Sequence, residues 1–233
     1  MFTRKTTTTG MTFNAHDPAQ LCGGPATGPT TLGAGMASGT LVATQAGWQP
    51  VDDVRVADKV LTLDGGMQLV TGVERTCLWQ SARPVPKDLW PLNVPAGALG
   101  NDRDMTLMPG QAVMVKSDTG EALFDDPFTL VRAAALVGYK GISRVAPSGP
   151  VHVITLYFET DHVVFAHAAA LVYCPAQRPD ALDLRLPTPL AQDPLYQIAD
   201  RDEAEMLVNC LQGVSDEVDL WRTTNEALRD SAA

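Results

Sequence analysis

The sequence predicts a mainly β protein, and three observations carry that prediction. Between Ser38 and Cys174 the apolar residues fall in strand-length clusters: "GTLVAT", "KVLTL", "LVTGVERTCLW", "AVMVKS", "VHVITLYF" and "HVVFAHAAALVY". Gly, Pro and Asp separate them, as in "TLDGGMQ", "KSDTGE" and "APSGP", so the chain reverses often and has no room for βαβ units. A helical period emerges only after Asp200.

Taken in order, residues 1–34 are rich in Thr, Gly, Ala and Pro with no periodic apolar pattern, which predicts a flexible leader. A central β domain over 35–185 follows. Within it Asp64-Gly65-Gly66 is a hairpin turn, because Gly tolerates the positive φ that tight turns demand. Asp118-Thr119-Gly120 reads as a second such turn. "FTLVRAAALVG" begins extended and ends as a short helical stretch stopped by Gly138. Prolines at 175, 179, 187, 189 and 194 forbid regular helix there and predict a segment lying over the domain surface.

The region 186–233 combines the end of that Pro-rich segment with an acidic helical tail. Asp200 caps a first helix with Glu203 in its first turn, and Ala204, Leu207, Val208 and Leu211 share one face up to Gly213. Ser215, Val218, Trp221 and Leu228 suggest a second helix. From Asp200 onward nine acidic residues face three basic ones, as expected of a solvated helical hairpin packed on the β domain.

Bulk properties narrow the function classes. The chain has 233 residues, 45% of them hydrophobic, and a formal net charge of −10. No basic surplus exists to neutralise nucleic acid or anionic lipid, so cationic or neutral partners are favoured and a protein partner is left open. No apolar run approaches the ~20 residues that span a bilayer, and no apolar core follows the basic residues of the N-terminus. The expectation is a cytoplasmic protein, or one secreted without a classical signal peptide. Cys22, Cys77, Cys174 and Cys210 are scattered, with no CxxC pair, and read as free and mostly buried thiols; counting alone leaves a Cys22–Cys174 disulfide open.

The stretch "GTLVATQAGWQPVDDVRVADKVLTLDGG" resembles the opening of the Hedgehog/intein (Hint) domain, specifically its bacterial subgroup, in which a Cys and three residues precede Gly-Thr and a "GD.VLT.dG" segment follows. Ala57-Asp58 stands for that Gly-Asp. "VPAGALGNDRDMTLMPGQAVMV" and "VHVITLYFETDHVVFAHAAALVYCPA" resemble two later segments of the family, in the family's order, so the likeness runs over residues 35 to 185. It implies a flattened β-horseshoe with pseudo-twofold symmetry that brings residue 35 and His162 together.

It also implies an activity. In such domains a Cys attacks the preceding carbonyl and converts a peptide bond to a thioester, a His hydrogen-bonds to that bond, and a second His with a nearby acid acts later. An amide is a poor electrophile, so it needs a nucleophile in line and a proton for its departing nitrogen. Here the family-equivalent positions are Gly35 for the nucleophile, Gln111 for the first His with Met108 for the Ser before it, and His162 with Asp161 for the second. Glycine cannot attack, and a carboxamide cannot deliver a proton near neutral pH. Ser38 would sit about three residues, up to ~10 Å of extended chain, from the nucleophile's place and reads as a turn residue.

The resemblance therefore implies a Hint domain that has lost autoprocessing and serves as a binding or structural module. The alternative is a self-cleaving domain using non-standard residues. Splicing is disfavoured, since "VYCPAQ" continues where a His-Asn end would stand. No cofactor is implied. No metal is either: His162 and His167 are an odd number apart, and with His152 and Cys174 they lack a closed zinc spacing.

Overall fold

The strand-length clusters become strands in the computed structural model, which describes residues 34–79, 85–176 and 196–213. In chain order they are Met36–Ala37 (β1), Leu41–Thr44 (β2), Gly47–Pro50 (β3), Lys59–Thr62 (β4), Gly66–Leu69 (β5), Gly72–Leu78 (β6), Leu92–Val94 (β7), Met105–Leu107 (β8), Ala112–Lys116 (β9), Phe128–Arg132 (β10), Ser143–Arg144 (β11), Val151–Tyr157 (β12), His162–Ala166 (β13) and Ala170–Cys174 (β14). They form two antiparallel sheets. One has the order β11-β7-β8-β1-β12-β6; the other runs β10-β9-β14-β13-β2-β4-β5, with β3 on β2.

Alternation within strands points one set of side chains between the sheets. Val42, Val60, Leu107, Val113, Ile154, Leu156, Val164 and Val172 meet in a single main core. The second sheet has an apolar outer face too, where Ala112, Met114, Leu130 and Val163 make a smaller cluster.

Two turns come out differently from one another. Asp64-Gly65-Gly66 is the expected hairpin: β4 and β5 close with Thr62 opposite Gly66, whose φ is +65°. Asp118-Thr119-Gly120 is not a hairpin turn; it opens the helix α1 (Asp118–Phe124) between β9 and β10. The reason is Ser117, whose hydroxyl accepts the Gly120 N–H and caps the helix N-terminus. "FTLVRAAALVG" behaves as read, with β10 passing into a short 3-10 turn over Ala133–Leu136, and Gly138 left-handed at φ +97°.

A second helix, α2, covers 201–213. Asp200 and Glu203 cap it reciprocally: the Asp200 carboxylate accepts Glu203 N–H and the Glu203 carboxylate accepts Asp200 N–H, both at 2.9 Å. Ala204, Leu207, Val208 and Leu211 enter the same core as the sheets. Burying side chains of this size is worth about 1.5–3 kcal/mol each for the larger ones. Ahead of α2, Ile198 bridges Leu130 and the Ala199 N–H bonds to the Leu130 carbonyl, so the chain here runs along the edge of β10 with Tyr196 and Ile198 packed on the outer cluster.

The expected leader, most of the Pro-rich segment and the second predicted helix lie outside the described residues, as does Cys22. Cys174 is a buried free thiol, Cys77 is half-buried and Cys210 exposed. Among the described residues no helix is long and apolar enough to cross a membrane.

Candidate functional site

Gly35 enters β1 with φ +103°, a conformation that favours glycine. It lies hard against β12. A Cβ built there would sit 2.5 Å from Val153 Cγ1 and 2.8 Å from Thr155 Oγ1. The position thus lacks a nucleophile and also lacks the space for one.

Gln111 follows the turn that its N–H closes onto the Met108 carbonyl, just before β9. Its carboxamide is buried, 4% exposed, and bonded at both its oxygen and its nitrogen. Oε1 accepts the Gly35 N–H at 2.8 Å, while Nε2 donates to the carbonyls of Ala112 and Tyr173, both at 2.8 Å. That orientation is the one that satisfies an N–H and two carbonyls together. Gln111 therefore ties β1, β9 and β14 at one point.

His162 stands at the start of β13, opposite Cys174 and so one residue along β14 from the Tyr173 carbonyl that Gln111 holds. The structure brings Gly35 and Gln111 into direct contact and sets His162 on the neighbouring strand. His162 is 7% exposed and edge-on to Phe158, with ring centroids 5.5 Å apart. Its Nε2 lies 3.2 Å from Thr160 Oγ1 and its Nδ1 3.4 Å from Asp64 Oδ1.

The acid beside His162 is thus Asp64, from the β4–β5 turn, and not its sequence neighbour. Asp161 is buried and instead accepts the Ala176 N–H at 2.8 Å, fixing the chain as it leaves β14. Successive residues near a strand point to opposite sides, which separates Asp161 from the His162 ring.

Asp64 has a second partner: Tyr196 donates its hydroxyl to Oδ2. Burial works to raise the carboxyl pKa, but the hydrogen bonds from Tyr196 and His162 outweigh it and hold Asp64 below the usual carboxylate value. The Tyr196 phenol is pushed up, first by burial and then by bonding to that carboxylate. Tyr196 also packs edge-on to Tyr173 at 6.4 Å. Nothing in the local sequence signals these partners; Asp64 is 98 residues from His162 and 132 from Tyr196.

Among the described residues, the hydroxyl and thiol that the sequence offers as other nucleophiles, Ser38 and Cys174, are held elsewhere or buried. Ser38 is exposed in a turn closed by the Thr40 N–H on the Ala37 carbonyl. Its hydroxyl donates to Asp52 Oδ1 at 2.6 Å, and the Gly39 N–H bonds to Oδ2 at 2.7 Å. The Cys174 thiol is pushed up to about 12 by burial and holds almost no thiolate near neutral pH. His167 closes no site with His162: it lies beyond β13 at φ +41°, with Nε2 3.4 Å from the Leu41 N–H and Nδ1 buried without a partner. Among the described residues no three His, Cys, Asp or Glu side chains converge as for a metal ion.

The model of a Hint domain family matches residues 34–171. Among solved structures, a bacterial intein-like domain from Clostridium thermocellum aligns at 14% identity, covering 60% of this chain and 98% of that one, with a TM-score of 0.44. The gp41-1 intein aligns at 14% identity over 60% of this chain and 98% of its own, TM-score 0.38. The MchDnaB-1 intein aligns at 18% identity over 59% and 98%, TM-score 0.35. No curated protein matches the sequence.

Proposed function

This chain belongs to the Hint domain family, and on that premise we propose that it is a Hint domain without self-cleaving chemistry, kept as a binding or structural module. The observation that carries the reading is Gly35. Its N–H is held by a neutral carboxamide, and the volume a side chain would need is filled by Val153 and Thr155. Thioester formation needs a nucleophile in line with the preceding carbonyl and a proton donor for the nitrogen that leaves. The first is absent at position 35, and Gln111 cannot act as the second near neutral pH.

The module keeps the hydrogen bond that the family resemblance assigns to a histidine, with glutamine making it. That supports a role for Gln111 in holding the frame. Intact mass of the full chain, followed over days with thiol at neutral pH, tests the proposal. One species of 233 residues is expected; time-dependent cleavage near Ala34–Gly35 would overturn it.

A second reading, self-cleavage with non-standard residues, draws on one feature. His162 keeps a carboxylate on one ring nitrogen and a hydroxyl on the other, the arrangement of an oriented base. That reading requires His162→Ala to abolish cleavage of the wild-type chain. On the leading reading the variant and the wild type give the same mass pattern.

A further inference from the structure

The outer face of the second sheet is covered over one half. There Tyr196 and Ile198 pack on the cluster of Ala112, Met114, Leu130 and Val163, with Leu63 beside them. Strand register carries the same face onward. Trp48 stands opposite Ala43, Leu61 opposite Met67 and Lys59 opposite Leu69, and each of these pairs is turned away from the core side chains of Val42 and Val60. Leu61 and Leu63 follow each other on that side of the chain, so the two halves meet at β4.

Among the described residues the second half is open. Trp48 is 48% exposed, Met67 45% and Leu69 49%. A single exposed apolar side chain is ordinary, but three large ones on one sheet face mark a surface that something occupies. Two of the three lie on β5, the last strand of its sheet, and an apolar edge invites another segment of chain.

The path of the chain indicates which segment. Ala176 is held by its N–H on the Asp161 carboxylate at 2.8 Å and by a bridge to Phe158, whose ring meets His162. Tyr196 is held on Asp64, whose other oxygen faces His162. Residues 177–195 therefore leave from, and return to, the corner where the β4–β5 turn meets His162, and Met67 follows that turn directly. At ~3.4 Å per residue, position 184 can lie up to ~27 Å from Ala176, whereas Met67 is no more than ~10 Å from Asp64. Composition then narrows the choice. Leu182-Asp183-Leu184-Arg185-Leu186 places leucines at alternate positions, in a window without proline between Pro179 and Pro187.

We propose that residues 182–186 of this chain dock on the outer face of β4 and β5, with Leu182, Leu184 and Leu186 against Trp48, Met67 and Leu69 and with Asp183 and Arg185 toward water. The face is an internal docking surface, fitted to an extended segment whose apolar residues alternate. The inference stands independently of whether self-cleavage is lost.

Limited trypsin digestion of the full chain tests it, because Arg185 lies inside the docked segment and fragment mass reports the bond after it. In M67D/L69D that bond is expected to be cut at least about tenfold faster than in the wild type. L123D, which changes an exposed leucine on α1, leaves the rate unchanged. The reciprocal variant L182D/L184D/L186D is read from the other side, by the ¹³C-labelled Met67 methyl group. A soluble paramagnetic agent is expected to reach that methyl several-fold more strongly in this variant than in the wild type. The methyl of Met206, exposed on α2, changes little. This second reading stands if M67D/L69D fails to fold.

Equal cleavage after Arg185 in the wild type and in folded M67D/L69D would overturn the proposal. So would a Met67 methyl equally accessible with and without the three leucines. Protection of Arg185 that falls on dilution also overturns it, since a second copy then occupies the face. The intact-mass experiment is separate: cleavage near Gly35 overturns the loss of self-processing and leaves this docking untouched.

Discussion

Two corners of the Hint frame have fared differently. At the Gly35 corner there is no side chain and the space one would take is occupied by Val153 and Thr155, while Gln111 bonds the Gly35 N–H and the Ala112 and Tyr173 carbonyls. At the His162 corner the polar side chains survive, and Asp64 bridges His162 to Tyr196 of the segment that leads into α2. One corner has been closed by packing; the other has been turned to hold the C-terminal segment. The difference teaches that a position without a side chain need not be loose, because buried backbone N–H and C=O groups still demand partners.

The sharpest way to break the comparison is to refill the first corner. Gly35→Cys combines a left-handed backbone with overpacking against Val153, and about 2–4 kcal/mol of stability should be lost in urea unfolding, with no cleavage restored. A stable variant, or one that cleaves, would mean the corner is still open. Gln111→Ala comes next. It orphans the buried Gly35 N–H and strips a donor from the Tyr173 carbonyl, for about 1–3 kcal/mol.

The second corner answers to gentler changes. Tyr196→Phe removes the hydroxyl from Asp64 at about 1 kcal/mol, and its signature is faster limited proteolysis ahead of α2 with the sheets intact. Equal protection of 196–213 in both proteins would show that Ile198 and the α2 face hold the segment unaided.

Acid should loosen the molecule in two steps. Burial lowers the His167 pKa, so the folded state prefers neutral imidazole while the unfolded chain protonates near its ordinary value of about 6.5. That contribution is complete above about pH 6.5 and is lost as pH falls through the lower folded value. Asp64 acts in a lower window. Its depressed pKa stabilises fully above about 3.9, the ordinary carboxylate value, and that support is lost as pH falls through the folded value beneath it. Urea midpoints measured from pH 8 to pH 3 resolve the two, and His167→Gln should erase the first.

How much of this can be read from the residues depends on how local the cause is. Strand-length apolar clusters, the Asp64-Gly65-Gly66 turn and the Asp200–Glu203 cap are decided within a few residues, and the sequence reading of each holds in the structure. The Asp118-Thr119-Gly120 turn was misread because Ser117, one position upstream, caps a helix there. Resemblance proposes Gly35, Gln111 and His162 as family-equivalent positions; the structure bonds the first two to each other and sets His162 opposite Cys174.

Other features depend on distance through the fold. The acid on His162 is Asp64 and not Asp161, because strand alternation turns adjacent side chains apart while the β4–β5 hairpin brings a residue 98 positions away to the ring's Nδ1. The α2 face, read as a helix packed on the β domain, belongs to the same core as the sheets. Local periodicity, turn chemistry and the lack of a side chain at position 35 are properties of short segments, so sequence suffices for them. The partners of buried polar groups come from register between strands far apart in the chain, which the fold alone sets.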